Sequence, residues 1–210
     1  MTRDNATSTT TTNAEPRIRL RPVTPDDLDW MATMSADRAL VGDHNWAGEP
    51  RDRAEIRREL AERLADDGML SPGSGTLVVE LDGETPIGEV QWRTERWGPS
   101  ARSACPAIGI ALLPDFRGKG HGTVAQRLVV DHLFESDESV HRVQSDTAAD
   151  NPAEQRALEK VGMVVEGRVR NAEFRDGAFH DHLLYSILRE EWAATRVERT
   201  RGRAAPNGLP

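Results

Sequence analysis

Hydrophobic and polar positions along the chain switch between two periods, and the switches mark out the elements. Ile18–Arg21 alternates with period two and predicts a first strand. Thr24-Pro25-Asp26-Asp27 then offers an N-cap, a proline at the first helical position and acids in the first turn, so a helix is expected over Pro25–Ser35. In Arg51–Ala65, Ile56, Leu60 and Leu64 recur at i, i+4 and i+8 among charges, the stripe of an amphipathic helix. Thr76–Leu81 and Pro86–Trp92 flank Asp82-Gly83, a hairpin signal. Ala107–Leu113 is an apolar run that predicts a buried strand, and an amphipathic helix follows over Gly120–Phe134. Val140–Ser145 predicts another strand, parallel to Ala107–Leu113 because a helix links the two. Asn151-Pro152-Ala153-Glu154 opens a helix that runs to Val161 and ends at Gly162, with Glu154 as the expected capping partner of Asn151. Val164–Phe174 and Phe179–Leu188 flank Arg175-Asp176-Gly177 and predict a second hairpin.

The resulting order, β-α-α-β-β-β-α-β-α-β-β, is that of one α/β domain over residues 17–192 with no internal repeat. Residues 1–16, rich in Thr and Asn, and residues 193–210, rich in Arg, Gly, Pro and Ala, are expected to be disordered flanks. Gly42–Pro50 and Arg93–Cys105 are expected loops, and the second, with Trp97, is a candidate lid.

Between the apolar strand and its helix lies Arg117-Gly118-Lys119-Gly120-His121-Gly122-Thr123. Glycines let backbone approach a ligand without an intervening Cβ. The first-turn N–H groups of the helix lack intrahelical partners and favour an anion, so a pyrophosphate suits this turn. The P-loop pattern fails, because the nearby Gly-Lys is followed by Gly120. The dinucleotide fingerprint fails too, since the glycines run G-x-G-x-G past mid-chain. A glycine-rich connection with no ligand would have the same composition, so the turn alone leaves both readings open.

Charge and cysteine content narrow the classes. Charged residues make up 30% of the 210 and the net charge is −8, which excludes non-specific nucleic-acid binding and favours cationic partners such as amines. Cys105 is the single cysteine, so no intrachain disulfide and no cysteine-based metal site is expected. No apolar run approaches the ~20 residues of a membrane span, and residues 1–15 lack a signal-peptide core. A cytoplasmic protein, monomer or homodimer, without metal or membrane is the expectation.

Two ordered blocks then carry a family resemblance. Ile108-Gly109-Ile110-Ala111-Leu112-Leu113-Pro114 followed by Arg117–Gly122 resembles the cofactor signature of the GNAT superfamily of acyl-CoA-dependent N-acyltransferases. Asn151 followed by Ala157–Met163 resembles that family's second signature. Glu166-Gly167 with Arg170, Asp176-Gly177 and Asp181–Tyr185 are similar to the C-terminal hairpin of its ribosomal-protein alanine N-acetyltransferase (Rim-type) branch. The resemblance covers Arg17–Trp192. It implies a mixed, mostly antiparallel sheet of about seven strands with a central splayed parallel pair and about four helices. It also implies acetyl-CoA as co-substrate. Ile110, Ala111 and Leu112 would meet the pantetheine arm and thioester, Arg117, Gly118, Lys119, Gly120, His121, Gly122 and Thr123 the pyrophosphate, and Asn151 the pantetheine chain.

Such a reaction needs a neutral amine, alignment, support for a developing oxyanion and a proton for the leaving thiol. The backbone N–H of Leu112 is the candidate oxyanion donor by resemblance, with that of Ile110 as the other. Glu89, His44, Asp146, His180 and His182 are candidates for the base, and Glu89 and Asp146 also for orienting the amine. Asp43, His44, Trp46, Trp92 and Trp97 are candidate substrate contacts. The usual acid is missing. Many members have a tyrosine seven residues after the position of Asn151, where this chain has Leu158, and the Rim-type branch often has a serine three residues after it, where this chain has Glu154. Glu154 is assigned to capping here, and the thiolate to protonation by water. The acceptor is a protein N-terminal amine or a small cationic amine such as a polyamine or aminoglycoside-like antibiotic. The rival from another class is a non-catalytic acyl-CoA sensor.

Overall fold

Each alternating segment of the sequence becomes a strand of one sheet. The computed structural model describes residues 17–204 apart from 47 and 72, so the expected flank at 1–16 lies outside the described residues. The strands are β1 (Ile18–Pro22), β2 (Leu70–Ser71), β3 (Ser74–Leu81), β4 (Thr85–Arg96), β5 (Ala104–Leu112), β6 (Arg142–Ala148), β7 (Val164–Arg175) and β8 (Ala178–Leu188). Seven of them run in the order β1-β3-β4-β5-β6-β8-β7, and the two-residue β2 adds to β3. All neighbours are antiparallel except β5 and β6. That parallel pair is in register only at Ala107↔Gln144, and beyond this point the two strands form no further ladder pairs.

The helices are α1 (Leu28–Ala36), α2 (Arg38–Val41), α3 (Arg53–Asp67), α4 (His121–Ser136), α5 (Pro152–Val161) and α6 (Arg189–Ala204). Strand alternation divides them between two faces of the sheet. The rear face carries Leu77, Val79, Val90, Ile108, Leu112, Val143, Tyr185 and Ile187, which pack with Ala125, Val129 and Phe134 of α4 and Leu158 and Val161 of α5. The front face carries Val78, covered by α1 and α3 through Met31, Leu60 and Leu64, and Ala111, covered by Met34 and Val41. The two apolar helical stripes thus face opposite sides of a sheet whose central strands are buried on both.

Two sequence expectations change. The stretch Arg93–Cys105 is not a loop throughout: the β4–β5 ladder continues through Arg93↔Ala107 to Arg96↔Ala104, leaving 97–103 as the connection. Backbone pairing, not apolar alternation, carries this extension, so its polar sequence gave no strand signal. Helical structure also continues past residue 192, where a disordered flank was expected. Trp192 stacks on Phe134 with ring centroids 5.0 Å apart and donates its indole N–H to Asp131 Oδ1 at 2.6 Å. Arg199 adds an ion pair to Asp131 at 3.0 Å, so α6 is held by partners about sixty residues earlier in the chain. Among the described residues no helix is long and apolar enough to cross a membrane.

Candidate active site

The glycine-rich turn forms one end of a cleft of about 1060 Å³. After β5 the chain makes a 3-10 turn at Pro114–Phe116, and Gly120, at φ +84°, caps the start of α4. Gly118 has φ +71°, and at both glycines an added Cβ would meet no atom within 4 Å. The turn therefore presents open space in front of the unpaired first-turn N–H groups of α4, as an anion cradle requires. Lys160 and Arg156 of α5 line the same cleft and supply positive charge. The Arg117 side chain does not reach into the cradle. Its Nε donates to the Leu112 carbonyl at 2.7 Å and its Nη2 to the Leu40 carbonyl, so it braces the turn against α2.

The gap between β5 and β6 forms the other wall. Leu113 N–H donates to the Ile87 carbonyl at 2.9 Å across the β4–β5 ladder. By antiparallel alternation Ile110 and Leu112 turn their backbone groups away from β4, toward β6. Their carbonyls confirm the direction: Ile110 O accepts from Asn45 Nδ2 at 3.2 Å and Leu112 O from Arg117. No β6 ladder engages the two N–H groups, which face the gap. An extended amide chain fits there. The residues present suit a coenzyme A arm.

Ile110, Leu112, Arg117, Gly118, Gly120, Gly122, Thr123, Asn151, Asp43 and His44 all line this one cleft. Ala111 lies on the front face beneath Met34 and Val41. Lys119 sits 5.9 Å from the Phe116 ring, and His121 is buried with Nδ1 lacking a partner among the described residues. Asn151 caps α5 by accepting from Glu154 N–H at 3.3 Å. The reciprocal half of the capping box is absent, since Asn151 N–H donates to the Ala148 carbonyl. Glu154 instead turns its carboxyl to Gln126 Nε2, at 3.3 Å, and lines the cleft.

The front face holds the candidate proton carriers. The register sets Glu89 opposite Ala111, Gln91 opposite Gly109, and Gln144 beside Ala107. On this face Glu89 stands on the β4 side and Asp146 on the β6 side of the small residues Ala107, Gly109 and Ala111, the last of them covered by Met34 and Val41. Glu89 has no ion-pair partner within 4 Å among the described residues. Burial pushes its carboxyl up to about 7, against a weaker opposing pull from Arg63. Asp146 is exposed and pairs with His182 Nδ1 at 2.7 Å, and His182 Nε2 lies 3.2 Å from Glu173.

Of the tryptophans, Trp46 packs beside Met34, Val41 and Ala111, next to Asn45 at the gap. Trp97 lies at the far end of the front face, donating to Gln144 Oε1 at 2.8 Å, and the residue is 63% exposed. Trp92 is a correction. Alternation turns it to the rear with Val90, where it meets His132 at 5.7 Å between ring centroids and fills the space over Gly75. It does not contact the cleft.

Sequence reasoning missed Arg175. Its side chain, 7% exposed, joins both oxygens of Asp150 (2.8 and 3.0 Å), His44 Nδ1 and Glu173. Arg38 of α2 binds Asp176 bidentately at 2.8 Å and also pairs with Asp43. These contacts tie the tip of the β7–β8 hairpin to the segment after α1. The Arg175-Asp176-Gly177 turn was legible in the sequence, but its partners Arg38 and His44, about 130 residues away, were not.

The comparisons with known proteins agree with this geometry. Residues 17–164 match the acetyltransferase (GNAT) domain model. The putative ribosomal N-acetyltransferase YdaF of Bacillus subtilis is 34% identical over 85 residues, 40% of this chain and 46% of that protein. The chain spans about half the length of such curated relatives from that organism. The spermidine N(1)-acetyltransferase of Escherichia coli K12 is 23% identical over 184 residues, 84% of this chain and 89% of that protein. The spermidine N-acetyltransferase of Vibrio cholerae, solved with CoA and spermine, superposes with a TM-score of 0.70 at 22% identity, over 84% of this chain and 98% of that one. The domain model spans the sheet from β1 through β6 together with the glycine turn and α5, and the chain belongs to the GNAT acetyltransferase family.

Proposed function

We propose that this chain moves an acetyl group from acetyl-CoA to a primary amine of a small polyamine-like cation, in the cytoplasm, by direct transfer in a ternary complex. The observation that carries the reading is the pair of carboxylates, Glu89 and Asp146, set by register on one face of the sheet on either side of β5, where β5 and β6 splay. The resemblance to spermidine acetyltransferases supports it.

Acetyl-CoA, when bound, supplies an activated acyl thioester. The glycine turn and α4 N-terminus hold its phosphates, and the N–H groups of Ile110 and Leu112 align the arm in the gap. Leu112 N–H donates to the acyl oxygen as negative charge develops there. Glu89 takes the proton of the incoming ammonium, a task suited to a carboxyl that titrates near neutrality. Asp146 holds a second ammonium of the acceptor and sets which nitrogen reaches the acyl carbon. Gly109 leaves room for the acceptor chain between them.

The acceptor panel is spermidine, an aminoglycoside and a peptide with an N-terminal alanine, each compared by kcat/KM from thiol release. Spermidine is expected to lead. Asp146→Asn should raise its KM about tenfold, the loss of one ion pair of about 1.4 kcal/mol, with kcat within about twofold. A peptide that outperforms spermidine and is indifferent to Asp146→Asn would move the reading to protein N-termini.

A further inference from the structure

The half-buried carboxyl of Glu154 in the cleft is not used in the transfer scheme above. We infer that Glu154 is the acid that protonates the leaving thiolate, an inference that rests on the transferase reading above. Glu154 lies on the first turn of α5, directly after Asn151, and lines the cleft with Ile110 and Leu112. It thus shares one cleft with the β5 residues whose backbone groups face the gap. Its carboxyl is not spent on capping, because Asn151 N–H is taken by Ala148. Its side-chain partner is the neutral amide of Gln126, 1% exposed, which donates from Nε2 at 3.3 Å. The other end of that amide, Oε1, is buried with no partner among the described residues. A neutral amide with an unused acceptor is suited to a carboxyl that holds its proton, not to a carboxylate that needs a cation.

The charged groups around the site leave Glu154 without an ion pair. Among the described residues Arg117 is committed to Leu112 and Leu40, and Arg127 of α4 donates to the Lys160 carbonyl. Arg156 and Lys160 on α5, His121 at the start of α4, and Asp43 and His44 across the cleft make no hydrogen bond or salt bridge to it. Burial pushes its carboxyl up to about 7, with the Gln126 hydrogen bond opposing. At neutral pH a sizeable fraction of the molecules therefore carries the proton.

The step balances. As nitrogen bonds to the acyl carbon the carbon–sulfur bond breaks, its electron pair passes to sulfur, and the Glu154 proton follows to give the thiol and a carboxylate. The ammonium gives up two protons on the Glu89 side, one proton returns to Glu154 from solvent, and one proton is released per turnover. Glu89 works as base and Glu154 as acid from opposite sides of β5, and their like titration predicts a bell-shaped rate profile centred near pH 7.

Glu154→Gln tests this with two readouts in the full chain, the pH profile of kcat with spermidine and the thiolate absorbance of bound coenzyme A. The variant is expected to lose about 100-fold in kcat, the lower end of what one positioned acid contributes, together with the alkaline limb. In the wild type the carboxylate left beside sulfur disfavours a second negative charge, so bound thiol should ionise at higher pH than in the variant. Wild-type turnover with an unchanged alkaline limb and the same thiolate titration in the variant would overturn the acid role and leave the transferase reading intact. A wild type that releases no thiol with any amine would overturn the transferase reading, and the acid role with it.

Discussion

Glu89→Gln is expected to lower kcat/KM for amine acetylation by about 10²–10⁴-fold, the usual contribution of a positioned base, and to stabilise the fold at alkaline pH. Both effects follow from one cause. Glu89 sits on the front face between Val78 and Ala111, and burial raises its carboxyl from 4.5 to about 7. Wild-type activity should therefore fall as the pH drops through about 7, and the variant should lack that limb. The stability effect has the opposite sense. The folded carboxyl binds its proton more tightly than the unfolded one, so the stability of the neutral form is full below about pH 4.5 and is lost as pH rises through about 7. A shift of that size corresponds to as much as about 3 kcal/mol at 1.36 kcal/mol per unit. A neutral glutamine escapes the loss, so the melting temperature of the variant should exceed that of the wild type at pH 8.5 and not at pH 4.5. Equal differences at both pH values would contradict the buried placement of Glu89, and an unchanged acid limb would remove it as the base.

Gly120→Glu is the second large effect, and it falls on the cofactor. The new side chain enters the open space of the turn and would set a carboxylate against the pyrophosphate proposed to bind there. Like charges so placed cost several kcal/mol, and at 1.4 kcal/mol per decade the affinity for coenzyme A should fall by about 100-fold or more. The φ of +84° adds strain of about 1–2 kcal/mol to the fold, which a chain of this length shows as a few degrees in Tm. Gly177→Glu is the control. Gly177, at φ +80°, lies at the β7–β8 turn with equally open space, so the strain should be similar and the affinity unchanged. Calorimetric titration of both variants separates the outcomes, and undiminished affinity in Gly120→Glu would sink the phosphate assignment.

How far the sequence could reach follows from which contacts are local. The turn at Arg117–Thr123 was legible because its composition is dictated by backbone geometry within seven residues. The direction of Ile110 and Leu112 toward the gap required the β4–β5 register, which alternation supplies once the strands are paired. The facing of Trp92 was also readable, since it shares parity with Val90, and its assignment to substrate went against that parity. Other features were out of reach because their partners are remote. Glu154 satisfies the local pattern of a capping box, and only Gln126, twenty-eight residues earlier, draws its carboxyl into the cleft. The last helix reads as a polar tail until Phe134 and Asp131 are placed beneath Trp192. The Arg175 cluster joins three segments, and the pattern of none of them shows that they meet.

Turnover of the full chain with acetyl-CoA and spermidine tests the central claim most directly, with thiol release followed by absorbance and the amine product by mass. One thiol per acetylated amine, saturation in both substrates and an optimum near pH 7 are expected. Tight binding of coenzyme A with no thiol released over spermidine, an aminoglycoside or an alanine-terminated peptide would contradict it and leave an acyl-CoA sensor in its place.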